Sequence, residues 1–103
     1  MKKDIFDDYD EMVKAFPNEP ITYFFRGVNN LRDRKYELAI NDFDEIIKID
    51  SSYFIAYYLR GRAYWFLVQT EQAILDYKRV LDLKPDFNLA KIALDEAQEA
   101  ILL

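Results

Sequence analysis

Residues 20–53 read PITYFFRGVNNLRDRKYELAINDFDEIIKIDSSY, and residues 54–87 read FIAYYLRGRAYWFLVQTEQAILDYKRVLDLKPDF. Laid one under the other, they agree at Ile21/Ile55, Tyr23/Tyr57, Arg26/Arg60, Gly27/Gly61, Glu37/Glu71, Ala39/Ala73, Ile40/Ile74 and Asp42/Asp76. Eight identities in 34 positions stand against about two expected from composition, so the chain carries a fixed repeat. Other pairs keep their character: Phe24 with Tyr58, Phe43 with Tyr77, Ile46 with Val80, Ile47 with Leu81. The register runs outward in both directions. Asp8, Tyr9 and Met12 fall on Asp42, Phe43 and Ile46, and Leu89 and Ala90 fall on Ile55 and Ala56. The expected organisation is a single domain over 1–103: a half repeat (1–19), repeats 20–53 and 54–87, and a capping helix in 88–103.

Within each unit the apolar residues recur three and four apart, the period of a helix with one buried face. Tyr23, Phe24, Gly27, Val28 and Leu31 form one such stripe, and Ala39, Ile40, Phe43, Ile46 and Ile47 form the next. Helices are expected over 21–32, 36–48, 55–67 and 71–82, with two more over about 3–15 and 87–101. Pro20 and Pro85 stand at a helix start and just past a helix end. Asp50, Ser51 and Ser52 read as a turn with capping residues, and Thr70 with Glu71 as a helix start.

These residues resemble the tetratricopeptide-repeat (TPR) family. Its 34-residue pattern has an aromatic at the fourth position, Gly at the eighth, an aromatic at the eleventh, Ala at the twentieth, an aromatic at the twenty-fourth and Pro at the thirty-second. The second unit supplies Tyr57, Gly61, Tyr64, Ala73, Tyr77 and Pro85, and the first supplies Tyr23, Gly27, Ala39 and Phe43. The departures are local. Asn30 stands where Tyr64 does, Ser51 replaces the proline, and Ile46 and Val80 replace a small residue. Arg34 and Val68 occupy the bend where Gly is common, which implies a strained or shifted turn. The resemblance implies an all-α fold, a right-handed superhelix of antiparallel helix pairs with about six helices.

A mid-helix glycine is about 1 kcal/mol worse than alanine, which is tolerable where two helices must approach closely. Gly27 and Gly61 are the chain's two glycines, and Ala39 and Ala73 are their expected small partners. Arg26 and Arg60 with Asp42 and Asp76 are expected to pair and tie helices together, within a unit or between units. Two arginines aimed at an acidic ligand are the competing reading.

Chemistry finds little footing. The sequence has no His and no Cys, so the commonest general base, thiolates and disulfides are excluded. Ser51 and Ser52 lie in a turn with nothing to activate them. The acidic clusters Asp4, Asp7, Asp8, Asp10 and Glu11, then Asp42, Asp44 and Glu45, then Asp95, Glu96 and Glu99, have the spacing of solvated helix faces, not of an oxygen-ligand cage. No enzyme activity, cofactor or metal is expected. A net charge of -5 repels phosphate backbones, so nucleic acid is not an expected partner. No run approaches the roughly 20 apolar residues that span a bilayer, and MKKDIFDDYDEMV lacks the apolar core of a secretory signal. A cytoplasmic protein with no membrane partner is expected.

The resemblance further implies that the first helix of each unit lines a concave groove. Its inner positions are Ile21, Phe24, Val28, Leu31 and Arg32, then Ile55, Tyr58, Arg62, Trp65 and Phe66, then Leu89, Ile92 and Glu96. Of these, Phe24, Val28, Tyr58, Arg62, Trp65, Phe66, Leu89 and Ile92 are the candidate partner-binding residues. Ile21, Leu31 and Ile55 are expected partly in the core. Arg62, four residues after Tyr58 and three before Trp65, is placed to stack on a ring. Trp65 has a competing role as a plug between its own helix and the last one. Where relatives clasp a chaperone's acidic tail with Lys and Asn, this sequence has Phe24, Val28, Leu59, Leu89 and Ala93. The expected function is a protein–protein interaction module that binds an apolar peptide or helix. The alternative is a self-assembling scaffold, a homo-oligomer whose groove or ends are covered by another copy.

Overall fold

A computed structural model describes residues 8–103. Six helices follow in order: α1 (Tyr9–Ala15), α2 (Pro20–Arg32), α3 (Tyr36–Ile49), α4 (Phe54–Phe66), α5 (Thr70–Leu83) and α6 (Asn88–Leu102). There is no strand among the described residues. The expected helix over 3–15 is seen from Tyr9, and its earlier residues, with Asp4 and Asp7, lie outside the described residues. Each helix packs on its neighbours in sequence, and α2 also touches α4, giving a body of 50 × 26 × 19 Å.

Helix pairing is set by the two glycines. A Cβ on Gly27 would lie 2.7 Å from Phe43 Cε1, and one on Gly61 would lie 2.6 Å from Tyr77 Cε1. The nearest groups are therefore the ring at the twenty-fourth position and the Cβ of Asp42 or Asp76, not the expected Ala39 and Ala73. Those alanines are fully buried nonetheless, in the clusters that hold Phe43 and Tyr77. Three apolar clusters run along the stack. Tyr23, Phe43, Ile46 and Ala56 join α2, α3 and α4; Tyr57, Val80 and Ala90 join α4, α5 and α6; Ala73, Tyr77, Ala93 and Ala97 close the last pair on α6.

Turn chemistry differs from expectation at one point. Asp50 Oδ1 accepts from the Ser52 amide and hydroxyl, which closes the turn, but α4 begins at a Tyr53 cap with no side-chain bond. The helix start at Thr70 is as expected, after a Gln69 cap with no side-chain bond. A real side-chain cap is Asp8, whose carboxylate accepts from the Glu11 amide at 3.1 Å. Tyr23 donates to the Pro17 carbonyl and Tyr57 to the Ser51 carbonyl, so the same phenol ties the preceding turn in both units.

The ends of α2 and α4 are Schellman motifs. Lys35 N donates to Asn30 O and Arg34 N to Leu31 O; Gln69 N donates to Tyr64 O and Val68 N to Trp65 O. The residue between helix and turn must then be left-handed, and Arg34 and Val68 adopt φ 62 and 60. This is where glycine is favoured, because a Cβ there costs roughly 1–2 kcal/mol. Val68 is β-branched and 84% exposed, so it bears the strain without packing in return. Val68→Gly is therefore expected to stabilise the fold by about 1 kcal/mol, raising the melting temperature by several degrees. Arg34→Gly should do less. An unchanged or lower melting temperature for Val68→Gly would refute the strain.

Candidate functional site

The polar framework comes first, because it orients the first helices. Arg60 Nε and Nη2 donate to both oxygens of Asp76, at 2.9 and 2.7 Å, and its Nη1 donates to Asp44 at 2.8 Å. Arg26 Nε donates to Asp42 Oδ1 at 2.9 Å and Nη1 to Asp10 at 3.0 Å, while Asn30 Nδ2 donates to the second Asp42 oxygen at 3.0 Å. Each arginine thus clasps an acid sixteen residues ahead on its paired helix and another sixteen behind on the preceding one. Asp42, Asp44 and Asp10 are therefore braces; Asp42 and Asp76 are buried, whereas Asp10 remains on the solvated face that its clustering suggested. The arginines are engaged within the fold, which removes the reading that they wait for an acidic ligand. Carried on by one more repeat, the arginine becomes Leu94 and the linking acid becomes Lys78, so the brace ends at α6.

Burial is the largest influence on Asp42 and Asp76 and pushes both carboxyls above the usual carboxylate range, against the pull of their arginines. Burial also opposes the Arg60 charge, yet hydrogen bonds and attraction from Asp76 and then Asp44 hold it above the ordinary arginine range.

The candidate partner-binding residues all lie on first helices: Phe24 and Val28 on α2, Tyr58, Arg62, Trp65 and Phe66 on α4, Leu89 and Ile92 on α6. They are not equally free. Leu89 and Ile92 are 55% and 56% exposed, and Phe66 is 48% exposed. Phe24, Val28, Tyr58 and Arg62 are half-buried. Trp65 is half-buried too and packs against the cluster of Ala73, Tyr77, Ala93 and Ala97, so part of it serves the contact of α4 with the last helices. Tyr58 leans on Tyr77 and Phe87. Arg62 lies over Phe66, 5.3 Å from the ring centroid, rather than over Tyr58 or Trp65, and Phe66 stacks on Tyr36 at 5.1 Å. Of the positions expected partly in the core, Leu31 and Ile55 are half-buried and Ile21 is exposed.

Two members of this surface escaped the sequence reading. Phe25 is exposed beside Phe24 in an edge-to-face contact, and Tyr36 supports Phe66 from the start of α3. Phe25 stood next to an inner position but outside the family's groove set, and a contact across the turn has no sequence signal. Among the described residues no group of three or more acidic side chains could hold a metal ion, and no helix is long and apolar enough to cross a membrane.

The comparisons with known proteins agree with this architecture. The tetratricopeptide-repeat family model matches residues 55–87. The first TPR of Spaghetti (RPAP3), solved bound to the HSP90 peptide SRMEEVD, superposes with a TM-score of 0.91 at 31% identity, over 95% of this chain and 78% of that one. The first TPR domain of human RPAP3 gives 0.89 at 31% identity, over 94% and 76%. The Arabidopsis OM64 TPR domain gives 0.87 at 26%, over 91% and 78%. No curated protein matches the sequence. The chain belongs to the tetratricopeptide-repeat family.

The braces make a pH-dependent prediction. A carboxyl whose folded pKa lies above its unfolded value costs stability at neutral pH, and that cost vanishes as pH falls through the unfolded value. Removing the arginine enlarges the cost. Arg60→Met is expected to lose about 3 kcal/mol at pH 7, because breaking a buried pair strands the remaining charge. The deficit against wild type should narrow as pH is lowered from 7 toward 4, and Arg60→Met/Asp76→Leu should recover much of it. Urea midpoints at both pH values measure this, and a deficit that does not change with pH would contradict it.

Proposed function

We propose that the chain is a non-enzymatic protein–protein interaction module. It binds an apolar peptide or amphipathic helix across α2, α4 and α6, with Phe24, Val28, Tyr58, Arg62, Trp65, Phe66, Leu89 and Ile92 as the contact surface. The carrying observation is where the apolar exposure falls. Ile21, Phe25, Phe66, Leu89 and Ile92 are all exposed on first helices, whereas α3 and α5 expose Leu38, Ile49 and Leu75. A contiguous exposed apolar patch marks an interface, and side chains exposed on neighbouring first helices can form one. Arg62 supports the same reading. Its guanidinium makes no ion pair among the described residues, so it is available to one acidic side chain on an otherwise apolar ligand.

The RPAP3 relative holds an acidic peptide, but this chain presents Phe24, Val28, Leu59, Leu89 and Ala93 where the family's tail-clasping residues stand. None of these side chains donates a hydrogen bond to a carboxylate. The ligand class therefore differs: apolar anchors replace terminal-carboxylate recognition. The helix-in-groove mode reads such anchors at i, i+3, i+4 and i+7.

Panning a displayed peptide library on the immobilised chain tests this reading. Peptides with apolar residues at helical spacing should be enriched, and Ile92→Asp, at an exposed position, should abolish their capture without changing the fold. The same peptides captured equally by Ile92→Asp would sink the proposal. Fluorescence anisotropy with labelled SRMEEVD should show no saturable binding at micromolar protein, and saturation there would restore the acidic-tail ligand. If another copy covers the surface instead, sedimentation will show a mass that rises with concentration and falls back with Ile92→Asp.

A further inference from the structure

A cleft of about 520 Å³ opens between α1, α2 and α3, away from the surface just described. Its walls include Tyr9, Asp10, Arg26, Asn30, Lys35 and Asn41. One substitution accounts for it. In the second unit the matching place holds Tyr64, whose ring lies 5.9 Å from the Arg60 guanidinium and packs on the cluster around Tyr77. The Tyr64 hydroxyl feels Arg60, Asp44 and Asp76, after burial itself. The first-unit equivalents of those three charges are Arg26, Asp10 and Asp42, and all three line the cleft. Asn30, in the place of the tyrosine, turns its amide to Asp42 and lines the cleft where the second unit has a ring.

We propose that this cleft is an acceptor site for a phenol ring, supplied in trans by a tyrosine side chain of a partner. Arg26 offers the ring the same guanidinium that Arg60 offers Tyr64. Asp10, on the exposed rim, accepts only from Arg26 among the described residues, and its remaining lone pairs can take a phenolic proton. That acceptor favours tyrosine over phenylalanine, and the polar walls, with Lys35 and Asn41, disfavour an aliphatic group. The site shares no residue with the contact surface on α2, α4 and α6, so its fate is independent of that reading.

An amide NMR titration of the whole chain with N-acetyl-tyrosinamide tests the site. The side-chain amides of Asn30 and Asn41 should shift and saturate, and N-acetyl-phenylalaninamide should bind about tenfold more weakly, as loss of one hydrogen bond to a charged group requires. Asn30→Tyr should fill the cleft, raise the melting temperature and abolish the shifts. Asp10→Ala changes an exposed position and leaves no acceptor, so it serves if Asn30→Tyr does not fold, and it should remove the preference for tyrosine over phenylalanine. Shifts that never saturate, that persist in Asn30→Tyr, or that are equal for the two amides in wild type would overturn the proposal. p-Cresol, which carries the same ring and hydroxyl, should shift the same amides, and a failure of p-cresol to do so would overturn the assignment to the ring.

Discussion

Everything in this fold hangs on a ring lying flat against a helix backbone where no Cβ intervenes. Phe43 meets Gly27 and Tyr77 meets Gly61, each at a distance that a methyl group could not share. The approach fixes the spacing within each pair, and with it the depth at which Asp42 and Asp76 sit, since their Cβ atoms are the next nearest groups to the glycines. Carboxylates carried that far inside require arginines, and Arg26 and Arg60 come from the residue just before each glycine. Close packing and the charge brace are thus one device, repeated at 34 residues.

The brace also links units. Because each arginine reaches backward to Asp10 or Asp44 as well as forward, the angle between successive pairs is held by the side chains that hold the pair together. Buried ion pairs contribute little net stability compared with apolar replacements, and their better attested role is to specify one geometry. Here that geometry sets the first helices α2 and α4, which carry the exposed Ile21, Phe25 and Phe66. At α6 the glycine position is Asp95 and the arginine position is Leu94, so α6 cannot seat a ring as α2 and α4 do.

Much of this was legible in the sequence, for identifiable reasons. The 34-residue register found the helices because apolar periodicity and the repeat agreed, and the Arg–Asp pairing followed from four residues conserved between the two units. The glycines signalled a close approach, but not its partner: Ala39 and Ala73 looked like the small counterparts, whereas the large rings one turn later are what lie against the backbone. Acid clusters misled, since spacing on a helix does not say whether an arginine from another helix reaches the group, as it does at Asp10 and Asp44. Among the candidate contact residues, sequence placed all eight on first helices but could not grade their exposure. Trp65 looked like Phe66 in one dimension, yet Trp65 packs against the cluster of Ala73, Tyr77, Ala93 and Ala97 while Phe66 is exposed. Asn30 was visible as a thinner place in the first unit, though only the fold shows that the missing ring leaves a cleft beside Arg26.

The central claim is that glycine is required by the ring it faces, against its own helix propensity. Urea denaturation of Gly61→Ala decides it by sign. Propensity alone predicts a gain of about 1 kcal/mol for this change in a helix interior. A Cβ at 2.6 Å from Tyr77 Cε1, with that ring fully buried and unable to retreat, predicts instead a net loss of about 1–3 kcal/mol from overpacking. A lower urea midpoint with an unchanged slope is the expected result, and a Gly61→Ala chain more stable than wild type would contradict the account.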